Sequence, residues 1–107
     1  MSIAENSDIE NWIAKQTPEA AIEPELPIID PHHHLWDLRK NNSMGFRQEV
    51  YLCEEISRDI AESGHNIVQT VFAQCGAFYR ADGPEEMRCI GETEFVNGVA
   101  AMSRSGL

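Results

Sequence analysis

Ile28-Ile29-Asp30-Pro31-His32-His33-His34-Leu35-Trp36 places three of the chain's four histidines directly behind an apolar dipeptide and an aspartate. If residues 28–34 are extended, side chains alternate between faces. Asp30, His32 and His34 then share one side, and Ile29, Pro31 and His33 the other. Residues two apart on a strand lie roughly 6.5 Å apart between Cα atoms. Two imidazoles at that spacing can converge on one ion at about 2.0–2.1 Å, the usual zinc–nitrogen distance. An Asp-x-His-x-His at a strand end is therefore half of a metal site, and the rest of the chain has to be read for what completes it.

Working outward, residues 37–45 read as a polar loop, with Asn41-Asn42-Ser43 and Gly45 as turn residues. A helix is predicted over 50–63, where Leu52, Ile56 and Ile60 stack at i, i+4 and i+8 and Gly64 stands as a C′ glycine. Ile67-Val68-Gln69-Thr70-Val71-Phe72-Ala73 is rich in β-branched and aromatic residues and reads as a second strand. Its near-continuous apolarity predicts burial on both faces, as in a parallel sheet. After a loop over 74–83, Pro84 suits the first turn of a short helix, with Glu85 and Glu86 near its positive end. A further helix is predicted over 92–103, carrying Phe95, Val96, Val99 and Ala100 towards a core, with Gly106 to end it.

Upstream, Ser7-Asp8-Ile9-Glu10 has the form of a capping box, and Ile9, Trp12 and Ile13 follow at helical spacing, so a short helix is expected over 8–16. Pro18, Pro24 and Pro27 make 17–27 an extended connector. The chain thus divides into a leader, 1–27, and a domain proper, 28–107. Within the latter the order is strand, long loop, helix, strand, loop, helix, which is two βα units. That order implies a parallel sheet with right-handed crossovers, of the kind found in (β/α)₈ barrels and doubly wound sheets. In both, chemistry sits at the C-terminal ends of the strands, where His32, His34 and Gln74-Cys75 fall.

With 107 residues the chain is one domain at most, and its 42% hydrophobic content is that of a globular protein. A net charge of −10, with eight scattered basic residues, argues against a nucleic-acid partner, because phosphate binding needs clustered Lys and Arg. The acidity is read as solvation. Cys53, Cys75 and Cys89 form no Cys-x-x-Cys pair, which suggests neither a disulfide framework nor a zinc knuckle and fits a reducing compartment. The first dozen residues carry Glu5, Asp8 and Glu10 without an apolar run, so no signal or transit peptide is expected. No stretch approaches the ~20 apolar residues of a membrane span, so no membrane partner is expected and the expected location is cytoplasmic.

The stretch Ile28-Ile29-Asp30-Pro31-His32-His33-His34-Leu35-Trp36-Asp37 resembles the opening strand of amidohydrolase-related metal-dependent hydrolases, the TIM-barrel group that includes sugar-lactone and pyrone-dicarboxylate lactonases. Gly64-His65-Asn66-Ile67-Val68-Gln69-Thr70 and Gly91-Glu92-Thr93-Glu94-Phe95-Val96-Asn97-Gly98 also resemble members of this group. The likeness runs over roughly 28–107 and covers about a quarter of such a barrel. It implies an α/β fold that is part of a TIM (β/α)₈ barrel, namely its first two βα units. It implies that His32 and His34 are the metal-binding pair, with Asp30 as the adjacent carboxylate. In the group the other ligands and the catalytic aspartate come from later strands, so the main acid/base is expected beyond Leu107. The implied cofactor is a divalent metal, zinc first, in the complete protein; some lactonases of the group work without one. The implied substrate is a small molecule with a lactone or related cyclic ester or amide bond.

Other residues have to be weighed against plainer roles. A catalytic zinc takes about three protein ligands and an open position. His65 precedes the second strand, and seven residues at roughly 3.3 Å each put it about 23 Å from that strand's far end, so it reads as following the Gly64 cap. His33, of opposite parity, is expected to pack away from the site. Cys75 stands at the correct end of the sheet as a soft ligand or nucleophile, or as a structural thiol; no later histidine activates it. Asp82, Glu85 and Glu86 are explained by solvation and helix-end stabilisation. Trp36 reads as a packing lid on its loop. Two functions follow: an N-terminal fragment of an amidohydrolase-like hydrolase, inactive by itself, or a small metal-binding or interaction protein that self-associates through open sheet edges without catalysis.

Overall fold

Pro27 fixes its own φ and starts β1 (Pro27–His33), and the computed structural model, which describes residues 6–106 with side chains from residue 8, pairs this strand in parallel with β4 (Asn66–Phe72). The register runs Pro27↔Asn66, Ile28↔Ile67, Ile29↔Gln69, Asp30↔Thr70 and His33↔Phe72, with irregularities between Ile28 and Ile29 and between Asp30 and His33. The second irregularity spans Pro31, which has no N–H to give to a ladder. Around this pair lie α1 (Asn6–Ile13), β2 (Trp36–Asp37), β3 (Val50–Tyr51), α2 (Cys53–Glu62), a 3₁₀ turn (Glu85–Met87) and α3 (Ile90–Arg104). The chain is therefore a mixed α/β unit with a two-stranded parallel sheet.

Several expectations need correction. Residues 37–51 do not pass from loop straight into helix, because Trp36–Asp37 pairs antiparallel with Val50–Tyr51 and draws the loop into a small ribbon. Val50 and Tyr51, β-branched and aromatic, suit that pairing better than a helix start. Trp36 stacks on Tyr51 at 5.0 Å between ring centroids and donates from Nε1 to the Gln48 carbonyl at 2.8 Å. α2 then begins at Cys53, with the Leu52 amide donating to the Glu55 carboxylate at 2.8 Å. α1 stops at Ile13 rather than 16, and the proposed cap at Ser7 lies outside the described side chains. Pro84 precedes a single 3₁₀ turn instead of sitting inside a helix. Gly64, at φ 76°, ends α2 as its C′ position requires.

The largest departure concerns burial. Val68 and Val71 of β4 are 53% and 49% exposed, so the expected burial of this strand on both faces is not found. Among the described residues only Leu35 and Glu92 are buried. The total accessible surface is 8706 Å². A folded chain of this mass is expected to expose about 6,000 Å². The radius of gyration, 16.6 Å, likewise exceeds the roughly 13 Å of a compact chain of this length. A single parallel strand pair leaves apolar faces of sheet and helices without a covering layer. Among the described residues no helix is long and apolar enough to cross a membrane.

One close approach is decisive for the turn after β4. A Cβ built on Gly91 lies 2.4 Å from the Phe78 carbonyl oxygen and 2.7 Å from the Arg80 amide nitrogen, so the backbone of 78–80 crosses the start of α3 only because residue 91 is glycine. Phe78 holds φ 60° there and stacks on Phe95 at 4.0 Å. Gly91→Ala is expected to lower stability by about 1–3 kcal/mol, the range for forcing a group into filled space. The urea midpoint of the variant against wild type checks it.

Candidate functional site

The end of β1 and the residue that follows it bring the His32 and His34 imidazoles together, past the irregularity between Asp30 and His33. His32 Nε2 and His34 Nε2 lie 3.0 Å apart, with ring centroids 4.7 Å apart and planes at 85°. Two nitrogens bound at 2.0–2.1 Å to one tetrahedral ion lie roughly 3.3–3.4 Å apart, so the pair is within a few tenths of an ångström of a shared-ion geometry. His34 Nδ1 is 2.8 Å from the Ala73 carbonyl oxygen. A carbonyl only accepts, so the proton is on Nδ1 and a neutral His34 presents a lone pair at Nε2. His32 Nε2–H then donates to it. An outer hydrogen bond to a backbone carbonyl is how metal-ligating histidines are usually oriented.

Asp30 behaves differently from a third ligand. Its Oδ1 accepts the His32 amide at 3.1 Å, which holds the backbone at the end of β1. Among the described residues no group of three or more His, Cys, Asp and Glu side chains is placed to hold a metal ion. The residues present fit two positions of a coordination sphere and leave the others to groups outside the set.

The remaining candidates separate cleanly. His65 precedes β4, at the end opposite the His32–His34 pair, and its amide donates to Ser63 Oγ at 3.1 Å. Cys53 starts α2, and Cys89 is exposed just before α3. Asp82, Glu85 and Glu86 are exposed on the turn and 3₁₀ segment. His33 faces the helices, half-buried, with its ring edge against Phe72 at 5.6 Å and its Nδ1 buried without a hydrogen-bond partner. Burial lowers its pKa from the ordinary 6.5; Asp30 opposes this and His34 adds to it. A depressed imidazole stabilises the fold above the ordinary value and loses that contribution as pH falls through the folded-state pKa. Stability should therefore drop on acidification below about 6.5, and His33→Phe should flatten that part of the curve in urea midpoints taken across pH.

Cys75 lies beside the site, on the turn after β4. Its Sγ–H reaches the Leu35 carbonyl at 3.4 Å and Glu92 Oε2 at 3.6 Å. Although Cys75 is exposed as a residue, partial burial of its thiol raises the pKa, and the neighbouring Glu92 carboxylate adds to the rise while the Ala77 backbone opposes it. A thiol held protonated in this way is a poor nucleophile and a poor soft ligand at neutral pH. Alkylation of Cys75 at pH 8 should be slower than that of an unstructured cysteine, and Glu92→Gln should speed it. Peptide-level mass spectrometry with iodoacetamide reads both.

Glu92 is the residue that sequence reading missed. It is 4% exposed, and its Oε2 accepts the amides of Cys75 at 3.1 Å and Ala77 at 3.0 Å. In sequence it is an acidic residue in the first turn of a helix, which is ordinarily a solvated helix-end charge. Only the approach of the 75–77 turn, set by tertiary packing, distinguishes it. Comparison of the chain with family models, curated proteins and solved structures gives no match.

Proposed function

We propose that this chain forms the first two βα units of an amidohydrolase-like TIM-barrel hydrolase acting on a small molecule with a lactone or related cyclic ester or amide bond, and that His32 and His34 are two ligands of its divalent ion, zinc first. The observation that carries this is the 3.0 Å convergence of the two Nε2 atoms at the C-terminal end of β1, with His34 oriented from behind by Ala73. The 8706 Å² surface supports the barrel reading, since further strands and helices are what such open apolar faces need. Arg39, Arg58 and Arg80 are spent in ion pairs with Asp37, Glu54 and Glu94, which supports the exclusion of a nucleic-acid partner. The three cysteines are free thiols, as suits a reducing, cytoplasmic setting.

A bound divalent ion supplies Lewis-acid polarisation of a carbonyl and a water of lowered pKa. This chain's part is to orient. His32 and His34 offer imidazole donors from one strand end, Ala73 fixes the His34 tautomer, and Asp30 holds the His32 backbone. Two donors fall short of the roughly three that a catalytic zinc takes, so the chain alone is expected to bind metal weakly and to show no metal-dependent lactone hydrolysis.

The second reading is a small metal-binding or interaction protein that self-associates without catalysis. The exposed Val68 and Val71 and the open edges of a two-stranded sheet favour it. Cobalt(II) titration, followed by visible absorption, tests the ligand pair common to both. Affinity should fall about tenfold or more in His32→Ala and in His34→Ala. Equal affinity in wild type and both variants would sink the assignment. Lactone hydrolysis by the purified chain, lost in both variants, would reverse the expectation of inactivity, and a discrete folded oligomer on size exclusion would favour the second reading.

A further inference from the structure

Leu35 and Glu92, the two buried residues among those described, meet through one side chain: Cys75 Sγ lies between the Leu35 carbonyl and Glu92 Oε2. Taking a carboxylate out of water is unfavourable unless donors replace the water. Here the donors are the Cys75 and Ala77 amides and the Cys75 thiol, all from one turn. That turn begins at Ala73, whose amide donates to the His33 carbonyl at 2.8 Å and whose own carbonyl accepts from His34 Nδ1. The connection from Glu92 to the imidazole pair therefore runs through two residues of backbone. On its other side the turn is held by the Phe78 stack on Phe95 and by the close pass over Gly91.

We propose that Glu92 is a positioning residue for His34: by anchoring the 75–77 turn from α3 it fixes the Ala73 carbonyl where that oxygen keeps the His34 proton on Nδ1 and turns Nε2 towards His32. Its functional weight rests on the reading of His32 and His34 as ligands, but its geometry does not. A buried carboxylate is an expensive way to brace a turn in a chain that otherwise buries so little, and an apolar side chain would fill the space at lower cost. What a carboxylate adds is direction. It gathers the Cys75 and Ala77 N–H groups on one oxygen and so sets the orientation of the peptides that lead back to Ala73.

The test uses the full chain with histidine ¹⁵N labels and long-range ¹H–¹⁵N correlation, which reports which ring nitrogen of His34 carries the proton without any metal. Wild type should show His34 protonated at Nδ1. Glu92→Ala should move it towards the Nε2–H form that a free imidazole side chain favours, and Glu92→Gln, which keeps the volume, should move it part of the way. Glu94→Gln, which removes only the exposed pair with Arg80, should leave it unchanged. A His34 tautomer identical to wild type in folded Glu92→Ala or Glu92→Gln overturns the proposal. So does loss of the fold in both, since Glu92 would then serve the whole domain rather than the site. Cobalt(II) titration of the same samples separates the two levels. An affinity lowered about tenfold or more in the Glu92 variants agrees with an outer-shell role. No cobalt binding by wild type, with the tautomer shift present, removes the ligand reading and leaves the positioning intact.

Discussion

Everything at the candidate site depends on the parallel pairing of β1 with β4 and on how that pairing ends. At its last rung the Ala73 amide donates to the His33 carbonyl, and the Ala73 carbonyl accepts a hydrogen bond from His34 Nδ1–H. One residue of β4's exit thus closes the ladder and selects the tautomer of the imidazole beyond it. Parallel strands bring their C-terminal ends together, which is why the loops after both can meet there. An antiparallel partner would place the opposite end of its strand beside His34.

The same pairing leaves the rest of the chain undercovered. A parallel sheet is stable when helices cover both faces and further strands cover both edges. Two strands and two helices cannot do this, and the exposed Val68, Val71 and Ile29 show where the covering is missing. An open groove of about 580 Å³ between the sheet and the helices, lined by residues such as Ile56, Ile60, Val96 and Val99, marks the same deficit from the helix side. Exposed apolar surface of this extent on a small chain is normally met by association or by more chain.

The sequence made the strand pair and the divided roles of the histidines legible because both are local. Alternation along a strand separates His32 and His34 from His33 whatever the strand packs against, and β-branched residues at 67–73 mark a strand by themselves. The glycines 64 and 106 mark helix ends for the same reason, since a positive φ is a property of one residue. What escaped was set by distant partners. Val50 and Tyr51 look like the start of a helix until Trp36 arrives to pair with Tyr51. Glu92 looks like a surface charge until the 75–77 turn is laid over it. Apolarity in β4 predicts burial, but an apolar pattern states what a strand requires, not which neighbours cover it.

The contrast between a well-formed site corner and a poorly covered sheet has a physical consequence for how such a site is built. The His32–His34 geometry needs one strand end, one carbonyl and one anchored turn, and all three with their anchor lie within 66 residues, between Pro27 and Glu92. Hydrogen bonds set it, and those act over a single contact and do not depend on how many strands lie beyond. Burial of the sheet is cumulative and does depend on them. Orientation of the imidazole pair therefore does not depend on closure of the surrounding core. The pair is then held at 3.0 Å by local bonds, with the protonated nitrogen of His34 turned towards the Ala73 carbonyl.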